Sequence, residues 1–301
     1  MRMEQMDAPL MRGRLVRGFG GFYVAVDDRG TEHVLRCKKK FRRMRISPLV
    51  GDEITFTPGE NEEHGWLEDI LPRKTECLRP PVANVSLLLI VVAPTPAPDL
   101  LLVDRMMIRA RQQGMKLALV VNKCDLDESL AEELRRQYAG AEAPVFAVSA
   151  MENRGLEQLR AHMAGELCCL TGQSGVGKST LLNHLLGLEL ETGEISQKIQ
   201  RGKNTTRHAE LLMVDGLTVL DTAGFSLLEL DAATEPIALK EHYPEFARWE
   251  GQCRFNPCYH DREPGCAVTA ACQAGEMDPL RLERYRQLLQ EVRQTWKERY
   301  D

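Results

Sequence analysis

The apolar positions divide the chain into three stretches of different rhythm. From Met11 to about Arg73, short alternating runs are broken every few residues by turn formers. Arg14 to Val26 alternates loosely around Gly18, Gly20 and Gly21, Asp27-Asp28-Arg29-Gly30 reads as a hairpin turn, and Thr31 to Cys37 reads as the return strand. Val50 to Phe56 and Trp66 to Ile70 supply further strands. Some five short strands in ~60 residues predict a small antiparallel barrel.

From Val82 the rhythm changes to strands interleaved with helices. Ser86 to Ala93 is a continuous apolar run, as expected of a strand buried on both faces, and Pro94, Pro96 and Pro98 end it and lead into a helix. Strands are predicted at Leu117 to Val121, Val145 to Val148, Leu167 to Leu170, Leu211 to Val214 and Leu217 to Leu220. Helices are predicted at Glu128 to Tyr138, Gly155 to Met163 and Lys178 to Leu186. This is the pattern of an open α/β sheet, whose ligands bind at the carboxyl ends of the strands. Beyond about Leu230 the chain turns helical and Cys/His-rich, and Asp278-Pro279 opens a last helix with N-cap chemistry. Residues 1–10 are polar and Met-rich and are expected to be disordered. The expected domains are a barrel at 11–75, the α/β domain at 82–229 and a helical domain at 230–301.

Gly172-Gln173-Ser174-Gly175-Val176-Gly177-Lys178-Ser179 fits GxxxxGK[ST], between an apolar strand and a helix. The glycines let backbone N–H groups turn toward phosphates, Lys178 would reach the β- and γ-phosphates, and Ser179 would ligate magnesium. Asn122-Lys123-Cys124-Asp125 fits NKxD at the end of a strand. Asp125 would accept from guanine N1–H and the 2-amino group, a pair that adenine does not offer, so an ATP-dependent enzyme is disfavoured. Asn122 would brace the phosphate loop and the Lys123 stem would cover the base. Ser149-Ala150 matches the loop whose N–H reads guanine O6. Asp221-Thr222-Ala223-Gly224 matches DxxG, with Asp221 on magnesium through water and the Gly224 N–H at the γ-phosphate. Thr205 or Thr206 would close over magnesium when GTP is bound.

NKxD normally follows the phosphate loop, and here it precedes it. The order NKxD, Ser-Ala, phosphate loop, threonine pair, DxxG is a cyclic shift of the usual one, so the domain is read as a circularly permuted P-loop GTPase. Phe225 stands where Ras-like GTPases carry a water-orienting glutamine. Intrinsic hydrolysis should therefore be slow and rescued by a partner or by another residue, with Asn204 and His208 as candidates.

Of nine cysteines, Cys253, Cys258, Cys266 and Cys272 are bunched near the C-terminal end. Cys253, Cys258, His260 and Cys266 suit one tetrahedral structural zinc, with Cys272 a spare. An odd count and no signal-peptide core after Met1-Arg2-Met3-Glu4 argue against a disulfide framework. No run is long enough to span a bilayer, and a cytoplasmic monomer is expected. The composition, 43% hydrophobic and 28% charged, is that of a globular protein, and the net charge of −5 gives no global sign of a nucleic-acid partner. Locally, Arg36, Lys38, Lys39, Lys40, Arg42, Arg43 and Arg45 concentrate positive charge with no intervening acid. A loop of this kind on a barrel would follow an RNA backbone, with Phe41 free to stack.

On Gly172 to Thr180, Gly202-Lys203-Asn204-Thr205-Thr206, Asp221 to Phe225 and the Cys253/Cys258/His260/Cys266 spacing, nearly the whole chain resembles the RsgA (YjeQ) family of ribosome-associated GTPases. The resemblance implies an α/β, circularly permuted GTPase domain between an N-terminal OB-like β-barrel and a C-terminal helical zinc-binding domain. It implies contact of the flanking domains with rRNA, and hydrolysis of GTP to GDP stimulated by the small ribosomal subunit during its late maturation. Asn204 departs from members with a histidine there, and Ala223 from the frequent proline. The alternative is a GTP-gated rRNA-binding regulatory module in which hydrolysis is incidental.

Overall fold

The computed structural model describes residues 10–59, 63–78, 81–187, 209–221, 230 and 233–299. Strands β1 (Met11–Phe19), β2 (Phe22–Asp27), β3 (Glu32–Cys37), β4 (Glu53–Thr57) and β5 (Gly65–Ile70) close into a barrel in the order β1-β2-β3-β5-β4. The pairings are antiparallel except β3 with β5. Period-two alternation sends Leu15, Ala25, Leu35, Ile54, Phe56 and Leu67 inward, where they pack as one apolar cluster. Gly20 and Gly21, both with positive φ, turn the chain between β1 and β2. The expected run from Arg14 to Val26 is therefore two strands of a hairpin.

The basic run is not a loop. Lys39–Met44 forms a short helix, α1, closed by Arg45 in the left-handed conformation. Phe41 is buried in the barrel core instead of standing free to stack. Its burial explains the helix: one apolar residue in a polar turn anchors it on the barrel end while the charges face outward. A short hairpin, β6 (Glu76–Leu78) with β7 (Pro81–Ala83), follows the barrel and has no clear sequence signal.

Next come β8 (Leu87–Val92), α2 (Leu100–Gln112), β9 (Lys116–Val121), α3 (Ser129–Gln137), β10 (Val145–Ala147), α4 (Leu156–Met163), β11 (Leu167–Thr171) and α5 (Lys178–Leu186). After residues outside the description come β12 (Glu210–Val214) and β13 (Leu217–Asp221). The sheet order is β10-β9-β8-β11-β13-β12. All pairings given by register are parallel except β12 with β13. β8, the first of these strands in the chain, neighbours the phosphate-loop strand β11, whereas β12 and β13 come last in the chain. This is permuted connectivity in spatial form. Residues 87–92 and 117–121 are all buried, as continuous apolar runs require.

Two turns of 3₁₀ helix (Pro236–His242 and Pro244–Trp249), α6 (Ala267–Gln273) and α7 (Pro279–Glu298) complete the described chain. Asp278 caps α7 by accepting from the Leu280 N–H. Leu282, Tyr285, Leu288, Leu289 and Val292 of α7 pack with Leu239, Tyr243 and Phe246. The described residues form two compact units. One holds the barrel, residues 164–169, β12 and β13; the other holds residues 87–163, 170–187 and the C-terminal elements. Among the described residues, no helix is long and apolar enough to cross a membrane. The expectation of disorder for residues 1–10 lies outside the described residues, Leu10 apart.

Candidate active site and metal centre

The phosphate loop joins β11 to α5. Gly172 has φ of +136°, and a Cβ there would lie 2.1 Å from the Val91 carbonyl oxygen. Gly177 has φ of +88°, and a Cβ there would lie 2.6 Å from the Asn122 amide nitrogen. Both positions therefore exclude side chains sterically as well as conformationally. Lys178 donates from Nζ to the carbonyls of Gly172 (2.9 Å) and Gln173 (2.7 Å), so its ammonium is held over the loop. Partial burial lowers the pKa of this ammonium. The first N–H groups of α5, including those of Ser179 and Thr180, have no carbonyl one turn back, and they make the helix start positive. Ser174, Gly175 and Ser179 are exposed, while Val176 is fully buried beneath them.

The turn after β9 meets this loop. Asn122, 2% exposed, donates from Nδ2 to the Val176 carbonyl at 2.9 Å, and its Oδ1 faces the Ala150 N–H at 3.4 Å. One amide thus spans the phosphate loop and the loop after β10. Lys123 has a positive φ and donates to the carbonyls of Thr95 (2.8 Å) and Gly175 (2.7 Å), which stretches its stem along the site. Asp125 is exposed beside it. Ser149 and Ala150 are buried in a loop closed by paired backbone hydrogen bonds between Ser149 and Arg154. Gln173 accepts from the Asp99 N–H at 2.9 Å, joining the phosphate loop to the start of α2.

Asp221 ends β13, in register with Glu210 of β12. Thr205, Thr206, Gly224, Phe225, Asn204 and His208 lie outside the described residues.

In the C-terminal elements, the ligand atoms of Cys253, Cys258, His260 and Cys266 all lie within 4.8 Å of one another. His260 Nδ1 is 3.6 Å from Cys253 Sγ and 3.4 Å from Cys266 Sγ. A zinc tetrahedron with Zn–S of ~2.3 Å and Zn–N of ~2.0 Å has edges of roughly 3.5–3.8 Å, so the four side chains fit this ion. The Ala267 N–H donates to Cys253 Sγ at 3.3 Å, and the Glu250 carboxylate lies 3.8 Å from His260 Nε2. Both contacts surround the ligand set with the polar partners common around structural zinc. Burial pushes the Cys258 thiol up to about 12. Burial also opposes charge on Cys266, but hydrogen bonds with His260 and Thr269 bring it down to about 6. Cys272 stands apart from the convergent set and packs against the apolar cluster beneath it.

The basic residues are divided by the fold. Lys38 pairs with Glu68 and Lys40 with Asp69, so two of the seven cations are tied to β5. Arg36, Lys39, Arg42, Arg43 and Arg45 are exposed.

One buried cluster gave no sequence signal. Asp104 of α2, fully buried, meets Arg281 Nη1 at 2.6 Å and Arg284 Nε at 2.8 Å, both from α7, and accepts from the Tyr138 hydroxyl at 2.5 Å. Arg281 also pairs with Glu245 at 2.7 Å and lies over the Tyr243 ring at 4.3 Å. Charged residues on helices usually mark a solvated face, and only the assembled fold shows these facing inward.

Comparison with known proteins agrees with this architecture. A model of the RsgA GTPase family matches residues 70–231, and a model of the RsgA N-terminal domain matches residues 12–67. The small ribosomal subunit biogenesis GTPase RsgA of Ruminiclostridium cellulolyticum is 41% identical over 283 residues, 92% of this chain and 92% of its own length. Its namesake in Caldanaerobacter subterraneus is 39% identical over 96% of this chain and 98% of its own. Among solved structures, YjeQ from Thermotoga maritima has a TM-score of 0.81 at 33% identity, over 94% of this chain and 99% of that one. YloQ, described as a circularly permuted GTPase, has a TM-score of 0.80 at 26% identity, over 97% and 98%. With its barrel, permuted sheet and phosphate loop, the chain belongs to the RsgA family of circularly permuted GTPases.

Proposed function

We propose that this chain binds the small ribosomal subunit and its rRNA, and hydrolyses GTP to GDP and phosphate during late maturation of that subunit. The subunit would accelerate a low basal rate. The observation that carries the reading is the Asn122 amide, which ties the phosphate loop to the base-reading turn in one rigid site. The relatives' names supply the partner.

In this reading water attacks the γ-phosphorus and the bond to the β–γ bridging oxygen breaks. Lys178 and the first N–H groups of α5 offset the charge gathering on the phosphate oxygens. Ser179, and Asp221 through water, would hold magnesium, which supplies further charge neutralisation when bound. Thr205 or Thr206 and the Gly224 N–H would complete the γ-phosphate side. The Phe225 phenyl cannot orient water, so the basal rate is low until the subunit supplies or reorders a positioning group.

Hydrolysis by the purified protein is expected to rise sharply with isolated small ribosomal subunits and not with large ones. Absence of that rise, with GTP binding intact, would favour the GTP-gated binding module. Asp125 carries a separate expectation. Asp125→Asn should weaken GTP binding by about 10–100-fold, since one of the two carboxylate acceptors facing the guanine donor pair becomes an N–H donor, and should raise relative affinity for xanthosine triphosphate, whose 2-oxo group accepts from it. Competition binding with the two nucleotides checks this, and unchanged preference would remove Asp125 from base reading.

A further inference from the structure

We propose that the outer face of the barrel carries a stacking platform for unpaired RNA bases, formed by Phe19, Phe22, His64 and Trp66 around Arg36. The residues come together through strand register. Phe19 of β1 is opposite Phe22 of β2, Phe22 is opposite Arg36 of β3, and Arg36 is opposite Trp66 of β5. Paired residues in a sheet project to the same side, so four strands contribute one continuous outward row. The rings touch in sequence. Phe19 and Phe22 are stacked with centroids 6.0 Å apart, Phe22 and His64 meet edge-on at 5.8 Å, and His64 and Trp66 meet at 5.3 Å. The Arg36 guanidinium lies 4.4 Å above the Phe22 ring.

This row is not core. Phe19 is 49% exposed and Trp66 is 42% exposed, and Val34, two residues before Arg36 on β3, is 46% exposed. Single exposed apolar residues are ordinary on a protein surface, but a contiguous aromatic row is not. Charge identifies the occupant. Arg36 sits within the row, and α1 begins three residues later with exposed Lys39, Arg42 and Arg43, then Arg45. The chain as a whole is acidic, so this concentration of cations beside flat rings is local. An acidic peptide would use the cations and leave the rings idle, and an apolar protein surface would do the reverse. A single-stranded RNA uses both, its bases on the π faces and its phosphates on the cations.

The inference deepens the rRNA reading above and rests on it for the kind of partner, but the two are tested separately. Short fluorescent oligouridylate and oligoadenylate, and an RNA duplex of the same length, are titrated with the full chain at fixed salt. Single strands are expected to bind more tightly than the duplex and to quench tryptophan fluorescence, a quenching that Trp66→Phe should abolish. Trp66→Ala should weaken single-strand binding about tenfold or more, Trp66→Phe should stay within about threefold of wild type, and Phe19→Ala should reproduce the loss. Equal single-strand affinity of wild type and Trp66→Ala, or no preference over duplex, would overturn the platform and leave the row to a protein partner. Subunit-stimulated hydrolysis is measured in parallel. Its failure in the wild type would bring down the proposed function, while the oligonucleotide result still decides the platform.

Discussion

Replacing Asp104 with alanine is expected to destabilise the protein by about 3–5 kcal/mol, the scale of removing one partner from a buried charge cluster. The loss comes less from the missing attraction than from the two guanidinium groups left behind. Arg281 is 1% exposed and Arg284 is 9% exposed, so both charges would be left largely out of water. Glu245 still compensates Arg281 at 2.7 Å, but Arg284 keeps only neutral partners, the Gln137 carbonyl at 2.9 Å and the Tyr138 ring at 5.5 Å. The carboxylates are also what hold the Arg281 guanidinium firmly protonated against the opposing effect of burial. Urea denaturation followed by helical circular dichroism reads the change as a lower midpoint. A second substitution separates the causes: adding Arg284→Leu to Asp104→Ala removes the stranded charge and should restore part of the stability. If Asp104→Ala left the midpoint unchanged, or the double variant were additive, the cluster would not be a coupled unit.

The cluster sits on a helix that also reaches the phosphate loop. α2 carries Asp104 in its first half and starts at Asp99, whose N–H donates to Gln173 of the phosphate loop. The same helix therefore touches the loop at one end and is clamped by α7 along its side. α2 thus contacts both the phosphate loop and the C-terminal elements.

Much of the fold was legible because it rests on local rhythm. Residues 87–92 and 117–121 are apolar without interruption, and only a doubly covered strand asks for that. The phosphate loop was legible because Gly172 and Gly177 sit at fixed offsets from Lys178, where backbone approach leaves no room for a Cβ. The convergence of Cys253, Cys258, His260 and Cys266 was legible because the ligands lie close together in sequence. What sequence missed depends on register or on distant partners. Phe41, flanked by cations, read as available, and only closure of the barrel shows it as a core residue. Phe19, Phe22 and Trp66 look unrelated until pairing places them side by side. Asp104 and Arg284 lie far apart in the chain, and nothing local distinguishes them from solvated charges on amphipathic helices.

Removing zinc is expected to have the largest effect on any part of the chain. Structural zinc sites in small peptides contribute an apparent ~10–16 kcal/mol at neutral pH, comparable to the whole stability of a domain. The segment from Cys253 to Cys266 contains two 3.4–3.6 Å sulfur–imidazole contacts, little apolar mass of its own, and no disulfide. Without the ion, Cys253 and Cys266 would keep their contacts with the His260 imidazole, but the turn at His260, which has positive φ, would lose what holds it. Elemental analysis of the purified protein should find one zinc per chain. A strong chelator, or Cys258→Ala combined with Cys266→Ala, should abolish it and open residues 250–277 to proteolysis. α7 should survive this treatment, because Leu282, Tyr285 and Leu288 remain packed on the 3₁₀ turns and Arg281 and Arg284 remain on Asp104. Cys272→Ala should keep its zinc, since Cys272 lies outside the convergent set. Two results would remove the metal centre as drawn: full protease resistance after chelation, or a loss of zinc in Cys272→Ala equal to that in the ligand variants.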